Sequence, residues 1–328
     1  MWKAVNCGVQ GRGHIKMDTP CQDKTKQLYK NGVSVIALAD GAGSAKFSHF
    51  GADCVVENIS VYVADNFQQL IETADGKQVK LAIMDELKNN LANKANELDC
   101  RLNDLASTLL LVAVYEDEYM ILHIGDGVIG YLDGSELKIA SLPDNGEFAN
   151  LTTFVTSNEA LVSMRLFKGK IKEISGFVIM SDGTEQSLYH KTTQTLANAI
   201  IKLMHRACLI DGEVMRSQLI ETLTSVISKN TQDDCSIAIM VRPFGILRQF
   251  EELGFNERRE LFCINNNGKN VKKRVSRYNN IISFLVKPKT LKQISNEIHL
   301  DSKYTKRHLD KLLSVGLIIK HGALYSRF

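Results

Sequence analysis

The tightest constraint on how this chain folds is a repeated pairing: an apolar stretch of strand length with a carboxylate beside it. Residues 33–39, Val-Ser-Val-Ile-Ala-Leu-Ala, run directly into Asp40-Gly41-Ala42-Gly43-Ser44, and residues 176–180 run into Ser181-Asp182-Gly183. Asp233-Asp234 stands just ahead of the apolar run 236–241, and Asp23 closes the segment Cys21-Gln22-Asp23. Runs this short and this rich in Val, Ile and Leu read as strands. If neighbouring strands end at one edge, their carboxylates converge there, and their mutual repulsion calls for cations. Ligation by oxygen alone selects magnesium or manganese. Glycine after aspartate, as in Asp40-Gly41 and Asp182-Gly183, permits a sharp turn and lets its own carbonyl approach an ion.

One Asp-Gly after a strand is usually just a turn. Here there are four carboxylate segments, with Ser107-Thr108 opening a further apolar run and Gly125-Asp126-Gly127 following the run 119–124. Turns alone do not account for that order and spacing. Helical periodicity fills the spaces between: 49–70 and 77–98 lie among the early strands, and 192–208 and 212–228 precede the last one. Strands grouped with intervening helix pairs predict an α+β fold of sheets covered by helices, not a regular βαβ chain.

The length, 328 residues, allows one large domain and one small one. The net charge of +3 conceals a division. Residues 251–328 carry 16 Lys/Arg and 7 Asp/Glu, or +9, which leaves 24 against 30, or −6, for residues 1–250. The two parts are therefore suited to different partners. A polar, basic stretch containing Asn265-Asn266-Asn267-Gly268 separates them, giving a large domain over 1–245, a linker over 246–276 and a small domain over 277–328. In the last part, helical patterns at 277–286, 290–300 and 302–315 precede short strands at 317–320 and 324–328 across a His321-Gly322 turn, the order of a winged helix-turn-helix. Helix 302–315 presents Lys303, Lys306 and Arg307, and Lys320 lies on the hairpin. This basic face suits either nucleic-acid phosphates or a protein partner.

Seven cysteines without a Cys-x-x-Cys pair suggest neither a zinc ribbon nor a disulfide framework. No apolar run is long enough to cross a membrane, so a soluble cytoplasmic protein with no membrane partner is expected. Cys21 and Cys235 adjoin the acidic segments, which raises the idea of an oxidation switch beside the usual reading of buried, inert thiols.

The segments Gly13-His14 through Pro20-Cys21-Gln22-Asp23, and Asp40-Gly41-Ala42-Gly43-Ser44-Ala45-Lys46 with Gly51-Ala52, resemble the bacterial members of the metal-dependent protein phosphatase 2C family, over about residues 5–241. The resemblance implies two stacked antiparallel β-sheets flanked by helix pairs, with two Mn²⁺ or Mg²⁺ ions in a cleft at one end. It implies hydrolysis of phosphoserine or phosphothreonine on a protein substrate by water activated between the two ions, and hence a cognate Ser/Thr kinase. Asp40 would bridge the ions, the Gly41 carbonyl would bind one of them, and Asp182 and Asp233 would complete the shell of the other. Asp23 would act near the ions through bound water, and Asp126 would belong to a weaker third ion.

Three departures accompany the resemblance. Asp18 stands where many members carry a phosphate-gripping arginine, which leaves Arg12 or His14 for that role. Imidazoles titrate near neutrality, so His14 is also a candidate general acid, with an ordinary packed histidine as the other reading. Asp234 stands where many members have asparagine, and Gln186 where some have a carboxylate that Glu185 could replace, so a third ion stays open. Two other function classes remain: a non-catalytic phosphoprotein-binding module, motivated by the missing arginine, and a DNA-binding regulator with a phosphatase-like sensor domain.

Overall fold

The computed structural model describes residues 2–134, 136–144, 152–242, 250–265 and 270–327. Two compact units are present: Trp2–Ala207 with Gly212–Arg242, and Pro243–Phe328 with Cys208–Asp211.

The larger unit contains two five-stranded antiparallel sheets. One has the order β1 (Lys3–Val9), β12 (Cys235–Val241), β9 (Ile174–Met180), β6 (Val128–Asp133), β7 (Glu136–Ser141). The other has the order β2 (Lys24–Lys30), β3 (Val33–Ala39), β4 (Leu109–Tyr115), β5 (Glu118–Ile124), β8 (Arg165–Lys170). The run Val33–Ala39 lacks polar alternation because both of its faces are covered. Ile36 and Leu38 join Leu110 and Val112 of β4, Phe177 and Ile179 of β9, and Ala238 and Met240 of β12 in one buried cluster between the sheets. Val35, Ala37 and Ala39 point the other way, onto Val55, Ile59 and Val63 of α2 (Ser48–Glu72) and Ile83, Leu87 and Leu91 of α3 (Gly76–Glu97). Each buried Val, Leu, Ile, Phe or Met among them contributes about 1.5–3 kcal/mol by leaving water.

Five strands of the two large sheets escape sequence reading: β1, β2, β6, β7 and β8. Four of these are sheet edges, and their composition is that of edges: β2 reads Lys-Thr-Lys-Gln-Leu-Tyr-Lys and β8 Arg-Leu-Phe-Lys-Gly-Lys. Lysines on an edge blunt pairing with other chains and remove the apolar signal at the same time. The helix expected over 192–208 begins later. A small hairpin, β10 (Tyr189–His190) with β11 (Thr195–Leu196), comes first, and α6 spans Ala199–Leu209 after α4 (Ala160–Ser163) and α5 (Asp182–Leu188). Helix α7 (Gly212–Ser225) lies against β1.

In the smaller unit, the stretch 246–276 is not a featureless linker. Helix α8 (Phe255–Leu261) lies inside it, with Phe250, Leu253, Phe262 and Ile264 buried, and α9 (Val271–Phe284) starts six residues before the expected position 277. Residues 246–249 and 266–269 of that stretch lie outside the described residues. Helix α10 (Leu291–Glu297) is capped by Thr290, whose hydroxyl accepts from Gln293 N at 3.3 Å while Gln293 Oε1 accepts from Thr290 N at 2.9 Å. Helix α11 (Ser302–Ser314) is capped by Asp301, which accepts from Tyr304 N at 2.9 Å. Strands β14 (Ile318–His321) and β15 (Leu324–Arg327) pair as expected, and β13 (Lys289–Thr290) adds a third strand that the sequence reading lacked.

Candidate active site

Antiparallel pairing brings the acidic segments to one end of the larger unit. In the first sheet, Met180 pairs with both Ile237 and Val128, so Asp182 after β9, Asp233 before β12 and Asp126 before β6 leave the sheet at the same edge. In the second, Lys24 pairs with Ala39, so Asp23 before β2 and Asp40 after β3 are neighbours. Asp40 is held at both backbone ends by Thr108: Asp40 N donates to Thr108 Oγ1 at 2.8 Å and Thr108 N donates to the Asp40 carbonyl at 2.8 Å. Gly41 bridges to Ser107 and packs on the first turn of α2, where a methyl group would stand 2.8 Å from Ser48 Cβ. That contact is a second reason for glycine at 41.

The five carboxylates share one electrostatic neighbourhood. Burial pushes the Asp40 carboxyl well above the ordinary carboxylate range, with Asp23, Asp182, Asp233 and Asp126 all adding to the rise. Burial likewise raises Asp182 to about 7, helped by Asp233, Asp126 and Asp23 and opposed by Gly183 N, which donates to Asp182 Oδ1 at 2.6 Å. Asp23 is buried and raised to about 6 by loss of solvent and by Asp234. The Ser236 and Ser181 hydroxyls stand close enough to oppose that rise, yet neither Asp23 oxygen has a hydrogen bond of ordinary geometry among the described residues.

Buried carboxylate oxygens without donors, in a cluster of uncompensated negative charge, fit hard divalent ions. Among the described residues, no three His, Cys, Asp or Glu side chains form a tight ligand trio.

Asp234, noted from sequence only as a departure, turns out to organise the floor. It is 1% exposed, and its carboxylate accepts from Gly11 N at 2.6 Å and Gln22 N at 2.5 Å. His14 Nδ1 lies 2.9 Å from Asp234 Oδ1. The short helix α1 (Arg12–Lys16) is thereby fixed beside the 232–234 loop, and Gly13 N donates to the Gln232 carbonyl at 2.8 Å. A methyl group on Gly11 would overlap the Asp233 backbone, and one on Gly183 the Asp234 carbonyl oxygen.

Arg12 reaches the other side of this loop, where its guanidinium donates to the carbonyls of Thr231 and Lys229 at 2.9 Å each. Asp18, in the arginine's place, is exposed and takes a left-handed backbone with φ 54°. Asp126 accepts from Thr152 Oγ1 at 2.5 Å. Gln186 is exposed, whereas Glu185 is buried and paired with Lys191 at 2.7 Å, a pair the sequence reading did not anticipate. The thiols of Cys21 and Cys235 are both pushed up to about 12 by burial, with acidic neighbours adding to it. Lys303, Lys306, Arg307 and Lys320 belong to the smaller unit, where all four are exposed.

A family model of protein phosphatase 2C matches residues 10–224. The serine/threonine-protein phosphatase 3 of Escherichia coli (strain K12) is 26% identical over 192 residues, covering 56% of this chain and 74% of the relative. The crystal structure of a bacterial serine phosphatase is similar with a TM-score of 0.52 at 16% identity, over 74% of this chain and 98% of that one. The serine/threonine phosphatase Stp1 of Staphylococcus aureus is similar with a TM-score of 0.52 at 16% identity, over 74% and 95%. At such identities the two structures speak for the fold, in which the helix-covered sheets have their counterparts. The family match itself covers well over half of the sequence, and by it the chain belongs to the protein phosphatase 2C family and is a protein phosphatase.

Proposed function

We propose that the larger unit hydrolyses phosphoserine and phosphothreonine on proteins with the help of two Mn²⁺ or Mg²⁺ ions. The observation that carries this reading is the convergence of Asp23, Asp40, Asp126, Asp182 and Asp233, from five separate loops, on one electrostatic neighbourhood. The serine/threonine specificity named for the Escherichia coli relative supports the choice of these residues. Asp40, the Gly41 carbonyl, Asp182 and Asp233 would hold the ions, with Asp23 acting through water and Asp126 at the margin. When bound, such ions supply Lewis acidity, neutralising the carboxylates and polarising water and phosphoryl oxygens.

The chain's own residues then divide the remaining work. Thr108 fixes the backbone of Asp40 on both sides, so its carboxylate need not reorganise. His14, whose Nδ1 stands 2.9 Å from Asp234 Oδ1, is the candidate proton donor to the leaving serine or threonine oxygen. Arg12 supports the loop through its carbonyl contacts, so the role of gripping the phosphate is not assigned to it.

Hydrolysis of a phosphopeptide with and without Mn²⁺, by wild type and Asp40→Asn, tests the reading. A loss of roughly a hundredfold or more is expected, the size that follows removal of a principal electrostatic group. Equal rates would leave phosphopeptide binding without catalysis as the better reading.

For the smaller unit we propose a winged helix-turn-helix in which α11 is the recognition helix. Its support is the order of three helices and a β-hairpin, and the exposed Lys303, Lys306 and Arg307 opposite buried Thr305, Leu309 and Leu312. A duplex-DNA titration at low and high salt separates a nucleic-acid partner from a protein partner.

A further inference from the structure

The hairpin after α5 brings a lysine beside the acidic cluster. Helix α5 begins at Asp182, so Glu185 follows three residues on and shares its side of the helix. Strands β10 and β11 pair Tyr189 with Leu196 and His190 with Thr195, and Lys191 is the first residue of the turn between them. Lys191 Nζ stands 2.7 Å from Glu185 Oε1; the Glu185 side chain is 2% exposed and that of Lys191 70%. The second oxygen, Glu185 Oε2, is buried and has no hydrogen-bond partner among the described residues. The pairing of Val128 with Met180 keeps Asp126 alongside Asp182. Both carboxylates act on the Lys191 ammonium, and Asp126 acts on Glu185 as well. An ammonium is therefore paired with buried Glu185, in the field of Asp126 and Asp182, on the side of the acidic cluster where the resemblance implies a weaker third ion.

We propose that Lys191 is a built-in cation that takes the place of a third divalent ion between Glu185 and Asp126, so that this cleft holds two ions and not three. The inference rests on the two-ion reading given above. A lysine ammonium is a compact point charge on a flexible stem, suited to stand where an ion would. While it remains paired, a divalent ion entering between the same carboxylates meets like charge and loses one of its oxygen donors. Removing the ammonium leaves a buried carboxylate with both oxygens free, which is a site for a hard cation.

The test counts bound Mn²⁺ from the signal of free Mn²⁺ in electron paramagnetic resonance, up to millimolar concentration, for the full chain and three variants. Wild type and Lys191→Arg are expected to bind two ions, Lys191→Met three. Three ions in wild type, or the same two in Lys191→Met, would overturn the proposal while leaving the two-ion reading intact. Asp40→Asn is the control on that reading and is expected to bind one ion or none. If it binds as many as wild type, or if wild type binds none, the two-ion reading fails and this inference with it. Because Lys191 is largely exposed, Lys191→Met is expected to fold, and Lys191→Gln serves in its place if it does not.

Discussion

Asp234 carries much of the site's order without being one of its proposed ligands. Its carboxylate accepts from Gly11 N and Gln22 N and stands beside His14, joining α1, the segment before β2 and the loop before β12. Replacing it by alanine would leave buried backbone donors unpaired, each such loss costing about 1–3 kcal/mol. Asp234→Ala is therefore expected to lower unfolding free energy in urea by about 2–4 kcal/mol, and Asp234→Asn, which keeps one acceptor oxygen, by less. Equal losses would show that the hydrogen bonds are not the reason. Close packing gives a second prediction at this scale. Gly183→Ala pushes a methyl group onto the Asp234 carbonyl, so about 1–3 kcal/mol of overpacking is expected together with loss of phosphatase activity. An active, equally stable Gly183→Ala protein would show that the loop has room to move.

At the level of elements, strands and helices divide the labour of burial and presentation. Strand β3 is covered on both faces, whereas edge strands such as β2 trade apolar residues for lysines. Helix α11 separates the two roles around its circumference, with Leu309 and Leu312 fully buried and Lys303, Lys306 and Arg307 exposed. Changing the three basic residues to alanine is expected to weaken duplex-DNA binding and flatten its salt dependence, while phosphopeptide hydrolysis stays as in wild type. DNA binding equal to wild type would turn attention to a protein partner for this face. Leu309→Ala, by contrast, is expected to destabilise the smaller unit by about 2–5 kcal/mol, read from its unfolding transition.

For the whole molecule, the acidic cleft couples stability to pH and to cations. Asp23 and Asp182 are raised to about 6 and about 7, and Asp40 is likewise raised well above the ordinary carboxylate range by burial and its neighbours. The folded form thus binds protons more tightly than the unfolded chain, whose carboxylates titrate near about 4. The contribution of these groups to stability is complete below about pH 4 and is lost as pH rises through about 6–7. The ion-free protein is expected to melt at a lower temperature at pH 8 than at pH 5, and Mn²⁺ at pH 8 to recover the loss. A melting temperature that rises over the same interval would contradict the clustering of these carboxylates. Among the described residues, no helix is long and apolar enough to cross a membrane.

Much of this was legible in the amino-acid order. Strand β3 and the pair α2 and α3 announce themselves because burial of a whole strand, or of one helix face, leaves a periodic apolar record. The aspartates at strand ends stand out for the same reason, as charges abutting apolar runs. The edge strands, the hairpin before α6 and helix α8 left weaker records, because half-exposed elements have mixed composition. What only the tertiary structure decided is which polar groups meet across long chain distances: Asp234 with Gly11 and Gln22, Arg12 with Thr231, Lys191 with Glu185 in the field of Asp126. Apolar pattern is a property of a segment by itself, whereas a polar contact is a property of two segments and of the register that brings them together.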